Sequence, residues 1–233
     1  IGFVLIFRAT DVLSFAQPAM VVVGAGFISY FATQLGIPFI FAFIIGIILT
    51  GLLGFILERT FLRPMVGEPV FSVAVLTIGI DILLRVVLDN WIGINPKYMG
   101  DPFPSYGNFG SLDIGGLTVK YLEVTALITS LVLISILSVF FKRSKYGVAM
   151  RATSLDQEAA LAQGINVGRV FGLVWFIAGL LAAFAGFFIT GGFNTLTNTS
   201  FISALRALPA VVIGGLDSIT GAIIGSLIIG LTQ

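Results

Sequence analysis

The chain has 233 residues, of which 58% are hydrophobic and only 10% charged, with a net charge of +1 and neither cysteine nor histidine. Soluble domains carry about 25% charged residues, so this composition excludes a water-facing globule and implies an integral membrane protein. The near-neutral balance gives no electrostatic case for a nucleic-acid partner. The missing Cys and His remove disulfides, thiol chemistry, zinc sites of the usual kind and the common proton shuttle, so no metal or catalytic residue is assigned.

A helix needs about 20 apolar residues to cross a bilayer core. In chain order, residues Ile1–Phe7 read as the tail of a helix. Ser14–Gln34 is nearly long enough to span but carries Gln17 and Pro18 near its start. Ile37–Leu57 fits a span and ends at Glu58-Arg59. Pro69–Leu88 fits although it contains Asp81 and Arg85. Residues 89–120 form a long loop with Pro96, Pro102 and Pro104, read as irregular. Tyr121–Phe141 and Val170–Thr190 fit spans and flank a polar stretch, 142–169. Ala204–Leu216 and Ser218–Thr232 are each too short to cross and are parted by Gly214-Gly215-Leu216-Asp217. The spans are longer than barrel strands and lack their alternation, so they are helices. The fold class is therefore an all-α integral membrane protein, a polytopic helical bundle with interrupted or re-entrant segments, with 1–233 as one transmembrane domain. The chain begins without Met and ends inside an apolar run, which reads as a fragment.

Lys and Arg set the orientation. The stretch 142–169 holds Lys142, Arg143, Lys145, Arg151 and Arg169, and 58–68 holds Arg59 and Arg63. Two spans separate them, so they share a side, and the positive-inside rule makes that side cytoplasmic. Loop 89–120, with Lys97 and Lys120 against Asp89, Asp101 and Asp113, is then external. Within 142–169, Ser154 followed three residues later by Gln157 predicts a capping box, with Asp156 and Glu158 at the positive end of the helix dipole. Gly164 is the natural left-handed stop. A helix of two to three turns over 155–163 follows, with a small-residue side of Ala159, Ala160 and Ala162. Isolated in water such a helix is marginal, so it lies either on its own bundle or in the groove of a separate subunit.

Two apolar runs share the phrase Ala-x-Pro-Ala-x-Val: 16–21, containing Gln17 and Pro18, and 207–212, containing Pro209. Proline-broken backbone at membrane depth points to a cavity or a translocation path, although chance also yields such phrases in an apolar alphabet. Ser14, Gln17, Pro18, Arg206 and Pro209 are the pathway candidates. Asp81 and Arg85 lie one turn apart on one face, either as a structural ion pair or as pathway charges. Asn194, Thr195, Thr197 and Asn198 crowd the loop after Val170–Thr190, where they could meet a solute or simply water. No Gly-x-x-x-x-Gly-Lys-Ser/Thr phosphate loop occurs, so the chain has no such device for ATP.

The stretch YGVAMRATSLDQEAALAQGIN, 146–166, resembles the cytoplasmic coupling loop of bacterial branched-chain amino-acid ABC importer permeases. Tyr146, Gly147, Ala149, Arg151, Ala152, Ala159, Ala160, Gly164, Ile165 and Asn166 stand at matching places. LSFAQPAM at 13–20, ERTFLRPMVG at 58–67 and ALPAVVIGGLDSITGAIIGSLIIG at 207–230 resemble further family segments in the same order. The chain is closest to the H-type member of the permease pair, related to urea and amide permeases. It departs where Gln17-Pro18 replaces His-Gly and Asp217 replaces Gly. The resemblance implies an ABC importer transmembrane domain in a bacterial inner membrane, lacking a helix at each end. It implies two ATP-binding cassette subunits carrying ATP and Mg, a second permease subunit, an external solute-binding protein and lipid as partners. It places Arg151, Ser154, Asp156, Gln157, Glu158, Ala159, Ala160 and Gly164 in ATPase coupling, and branched-chain or other small amino acids on the path. The competing readings are an ion-coupled secondary transporter using Asp81 and a membrane scaffold that binds a cytoplasmic protein through 142–169.

Overall fold

The computed structural model describes residues 1–92, 97–99, 111–114, 117–191, 195–196, 200–216 and 218–232. It is helical almost throughout. Among the described residues four helices are long and apolar enough to cross a membrane: Phe39–Met65, Val70–Trp91, Tyr121–Arg143 and Val167–Gly191. These are the four full spans expected from hydropathy, each within a few residues, apart from the continuation of the first beyond Leu57.

In chain order the elements are α1 (Gly2–Thr10), α2 (Gln17–Ser29, widened into a π-turn over Tyr30–Gln34), α3 (Phe39–Leu57, continued by irregular turns to Met65) and α4 (Val70–Ile92). The loop strands β1 (Lys97–Tyr98), β2 (Ser111–Ile114) and β3 (Leu117–Lys120) follow. Then come α5 (Tyr121–Arg143), α6 (Lys145–Leu155), α7 (Gln157–Ala162), α8 (Val167–Gly191), β4 (Thr195–Leu196), α9 (Ser200–Leu205), α10 (Ala207–Gly214) and α11 (Ile219–Leu231).

The centre is a three-helix packing of α2, α3 and α8. Lipid tails are as apolar as leucine, so no hydrophobic force drives helices together there, and close backbone approach through small residues does the work. Gly186 of α8 shows the need: a Cβ there would overlap the Val21 carbonyl of α2. Met20, Ala25 and Ile28 of α2, and Trp175 and Ala178 of α8, are fully or almost fully enclosed. By contrast α5 lies at the rim and exposes Leu127, Ile128, Leu131 and Ile136, as a lipid-facing helix does.

The bundle has two chemically distinct ends. At one, called here the basic end, lie Arg63, α6, α7 and Arg169. At the other, Trp91 packs edge-on to Phe27 at 5.4 Å and against Tyr30 at 4.9 Å, the amphipathic aromatics that favour a membrane boundary. There too Ser29 Oγ donates to the Tyr98 carbonyl at 2.7 Å.

Among the described residues of 89–120, 89–92 continue α4 and three short strands form ladders. β2 and β3 form an antiparallel hairpin, and β1 pairs antiparallel with β4, Lys97 opposite Leu196. Backbone amides leaving a membrane need partners, and these short ladders supply them. Pro96, Pro102, Pro104, Asp101, Asn194, Thr197, Asn198 and Asp217 lie outside the described residues.

The proline expectation needs correcting for Pro18 only. Pro18 sits in the first turn of α2, where a missing N–H leaves no intrahelical bond unmade. Pro209 lies within the apolar helical stretch Ser200–Gly214, one turn after its irregularity at Arg206, where a proline frees the carbonyl four residues before it. The interruptions lie just before them, at 11–16 and at Arg206. Residues 11–16 connect α1 to α2, with Asp11 in the left-handed region at φ 57°. The last two apolar segments form a tight hairpin: α10 packs on α11 through Ala210 and Gly214 against Gly221 and Gly225.

Candidate functional site

Two groups of the candidate residues lie at different depths. At the basic end, α5 stops at Arg143 and the chain turns at once into α6. Ser144 caps that turn, its Oγ accepting from the Gly147 N–H at 2.9 Å. The Arg151 guanidinium reaches back from α6 to the Phe141 carbonyl, one of the orphan acceptors at the end of α5. α6 is thereby braced on α5, and it also packs on α1 and α8.

The cap of the next helix is not where the Ser-x-x-Gln pattern puts it. α6 runs on through Ser154 to Leu155, and Ser154 Oγ donates back to the Arg151 carbonyl at 2.9 Å. Asp156 is extended (φ −159°, ψ 111°) and caps α7, its Oδ1 accepting from the Ala159 N–H at 2.9 Å. Both residues suit a cap; Asp156 wins because α6 claims Ser154 as its own last turn. The result is a helix–kink–helix rather than one helix over 155–163. Gly164 ends it with φ 80°, the left-handed stop expected. Asn166 Oδ1 then accepts from the Arg169 N–H at 3.0 Å and starts α8 at Val167, three residues before the apolar run.

The small-residue face divides in two. Ala160 is 3% exposed and faces the chain's own bundle, so it cannot meet a partner directly. Glu158, Ala159 and Ala162 are exposed, and they are joined by two large apolar side chains, Leu155 (88% exposed) and Leu161 (58%). Sequence reasoning missed these leucines. Leucine in an apolar chain carries no signal until its face is known.

Below α7, Gln157 lines a cavity of about 260 Å³ with Thr10, Asp11, Glu58, Glu68 and Trp175. One wall is fixed by a clamp. Glu58 is 1% exposed and receives Arg63 in a two-point pair, Nε to Oε1 at 3.2 Å and Nη2 to Oε2 at 3.1 Å. The same Nη2 donates to the Gly168 carbonyl at 2.6 Å. That carbonyl belongs to the first turn of α8. The clamp thus ties the end of α3 to the start of α8, beside α7.

The second group lies halfway along the bundle. Asp81 is midway along α4 and Ala178 midway along α8. Between them starts α2. Gln17 is 3% exposed, and its Nε2 donates to the Ala178 carbonyl at 3.3 Å. The Phe15 N–H donates to Thr77 Oγ1 of α4 at 3.0 Å. The Asp81 carboxylate lies near the backbone N–H of Ala19, in the first turn of α2, and pairs with Arg85 Nη2 at 2.6 Å. The Arg85 guanidinium stacks over Phe201 at 4.2 Å, which ties α4 to α9. Ser14 is fully buried in the same region.

The structure therefore gathers Ser14, Gln17 and Pro18 at the start of α2, with Gln17 turned to α8 and Asp81 beside Ala19 from α4, but sets apart Arg206 and Pro209, which are both exposed near the break between α9 and α10. Gln17 also borders a second cavity, of about 310 Å³, with Leu133, Leu181, Phe184, Phe188 and Ser203.

Four membrane-length helices, a helix that starts at mid-depth and a braced polar projection at one end define a multi-pass membrane protein of the permease class. The chain belongs to the family described as branched-chain amino acid transport system / permease component, which matches residues 1–233. It is 25% identical to the high-affinity branched-chain amino acid transport system permease protein BraD of Pseudomonas aeruginosa, over 100% of this chain and 79% of that protein. It is 27% identical to the corresponding permease protein LivH of Salmonella typhimurium, with the same coverage. It is 28% identical to the probable branched-chain amino acid transport permease protein LivH of Methanocaldococcus jannaschii, over 100% of this chain and 74% of that protein. No solved structure matches the chain.

Proposed function

We propose that this chain is the H-type membrane-spanning permease subunit of an ATP-driven ABC importer for branched-chain or other small amino acids. In this reading residues 1–233 act as one transmembrane permease domain in a bacterial inner membrane. The basic end is cytoplasmic, 142–169 is the coupling loop and 89–120 is external. Two ATP-binding cassette subunits hold ATP and Mg, a second permease subunit completes the pore, and an external binding protein delivers the solute. The chain itself catalyses nothing.

The observation that carries the reading is the exposed apolar face of α7 and its neighbour Leu155 on a braced base. An exposed leucine pair beside Glu158 on a polar projection is a poor surface for water and a good one for a protein groove. The brace matters equally. Force applied to α7 reaches α5 through Arg151 and α8 through the short 163–166 link. It also reaches α1, against which α6 packs. The end of α1 leads through 11–16 to the start of α2 at mid-depth. A capped helix passes on displacement where a floppy loop would absorb it.

The test is reconstituted uptake with the co-expressed ATPase subunits and the binding protein. The reading expects leucine accumulation that needs all components and ATP. Leu161→Glu, which puts a charge into the docking face, should cut uptake about tenfold or more while the complex still hydrolyses ATP, because burying an unpaired carboxylate costs several kcal/mol. Accumulation by the purified chain alone on an imposed ion gradient would overturn the reading.

A further inference from the structure

Where α5 ends, its exposed face changes from apolar to basic. Ile128, Val132, Ile136 and Val139 are exposed at helical spacing, while Leu137 and Phe141 on the other side are buried. In a bilayer such a stripe faces acyl chains. From Ile128 to Val139 it rises about 16 Å, close to half of a hydrocarbon core of about 30 Å, so it matches one leaflet. The next positions at that spacing are Lys142 and Arg143, both exposed. Lys145 and Tyr146 follow, exposed, on the first turn of α6. Three cations and an amphipathic aromatic thus stand at the foot of the stripe, at the depth of lipid headgroups.

The fold has no use for these cations. Arg63 is held in its clamp and Arg151 by the Phe141 carbonyl. Among the described residues the ion pairs are Arg63 with Glu58 and Arg85 with Asp81, and neither involves this corner. The nearest acids along the chain are Glu123, about 28 Å away at the other end of α5, and Asp156, which caps α7. A helix C-terminus favours Lys142 and Arg143 at the end of α5, but Lys145 stands at the positive start of α6, where a cation is unfavourable. An anion from outside the chain would offset that cost.

We infer that the α5–α6 corner is a docking site for an anionic phospholipid, its phosphate among Lys142, Arg143 and Lys145 and an acyl chain along the α5 stripe. Both halves of the surface select this occupant. Lys and Arg bind phosphate oxygens through charge-assisted hydrogen bonds, and the stripe suits an apolar tail of leaflet length. A zwitterionic lipid brings its own cation, which the three like charges repel. Each basic residue beside an anionic lipid surface is worth about fivefold in affinity, so three predict about a hundredfold at low salt and less as the Debye length shortens. The Ser144 cap and the Arg151 brace root α6 at the same corner, so a bound lipid steadies the base from which α7 projects. The site requires only that α5 crosses a membrane, and it stands apart from the importer reading.

The experiment is native mass spectrometry of the full-length permease, purified with its partner subunits and titrated with dioleoylphosphatidylglycerol or dioleoylphosphatidylcholine. The two lipids share their chains and differ in net charge. The site predicts that the anionic lipid binds about tenfold or more tighter to the parent. Because that comparison uses the unaltered protein, misfolding cannot mimic it. The triple variant Lys142→Gln, Arg143→Gln, Lys145→Gln should shrink the preference to about twofold or less. Lys145→Gln alone, which also relieves the start of α6, should already cost the anionic lipid about fivefold. Arg59→Gln with Arg169→Gln removes exposed cations elsewhere at the basic end and should keep most of the preference. Glycerol 1-phosphate, the headgroup anion without chains, should not displace the lipid at equal concentration. Equal binding of the two lipids by the parent, an unchanged preference in the Lys145 and triple variants, or displacement by glycerol 1-phosphate would overturn the site. Release of the ATP-binding subunits from the triple variant with the lipid preference intact would assign the cations to a protein interface and overturn it as well.

Discussion

Removing Arg63 should unfold the basic end from within. Arg63→Ala deletes two charge-assisted bonds to Glu58 and one to the Gly168 carbonyl, and leaves the Glu58 carboxylate 1% exposed with no guanidinium beside it. Breaking a buried pair by removing one partner costs about 3–5 kcal/mol. The Arg63 side chain is 34% exposed, so water and salt already weaken the pair, and about 2–3 kcal/mol is the better expectation. At roughly 2–4 °C per kcal/mol for a chain of this length, the midpoint should fall by about 4–12 °C. Thermal unfolding of the purified protein in detergent, followed by size-exclusion fluorescence, reads this directly. The double variant Glu58→Gln with Arg63→Ala removes the stranded charge and should recover at least about 1 kcal/mol of the loss, a coupling that independent sites would not show. A midpoint for Arg63→Ala within about a degree of the parent, or additive losses in the double variant, would refute the clamp.

Three further outcomes follow from the geometry. Asp156→Ala should lose about 1 kcal/mol of local stability at α7, seen as faster amide hydrogen exchange over 157–162, whereas Ser154→Ala should leave that exchange unchanged. Gly186→Val drives a side chain into the Val21 carbonyl and should lower stability by about 1–3 kcal/mol or more, while Gly230→Ala, with open space around it, should be close to neutral. Ala160→Glu should abolish stable expression rather than selectively uncouple transport, because its side chain points into the chain's own bundle; normal folding with uncoupled uptake would contradict the packing described.

The spans were legible because length and hydropathy decide them together: a run such as Ile37–Leu57 has no alternative in a bilayer. The polar projection was legible for the opposite reason, since Lys145–Asn166 has no place in lipid. What could not be read was which neighbour each residue faces. Ser154 and Asp156 are both good caps, and only the extent of α6 decides between them. Alanine carries no facial preference, so Ala160 could be separated from Ala159 and Ala162 only by packing. The pairing of Lys97–Tyr98 with Thr195–Leu196 joins segments nearly a hundred residues apart, beyond any local rule. Pro18 and Pro209 were visible as interruptions, but proline in a first turn and proline in a helix interior look alike in the sequence. Asp81 and Arg85 were readable as a pair from their spacing. Their contact with the start of α2 was not.

The central claim is that α7 and Leu155 receive the stroke of an ATP-binding subunit on the inner face of the membrane. A photo-crosslinking residue in place of Leu155, in cells expressing the complete transport system, tests it most directly. The account predicts one dominant adduct, to an ATP-binding cassette subunit, whose yield changes when the ATPase is locked in its ATP-bound state. Adducts only to the chain itself or to the external binding protein would contradict it.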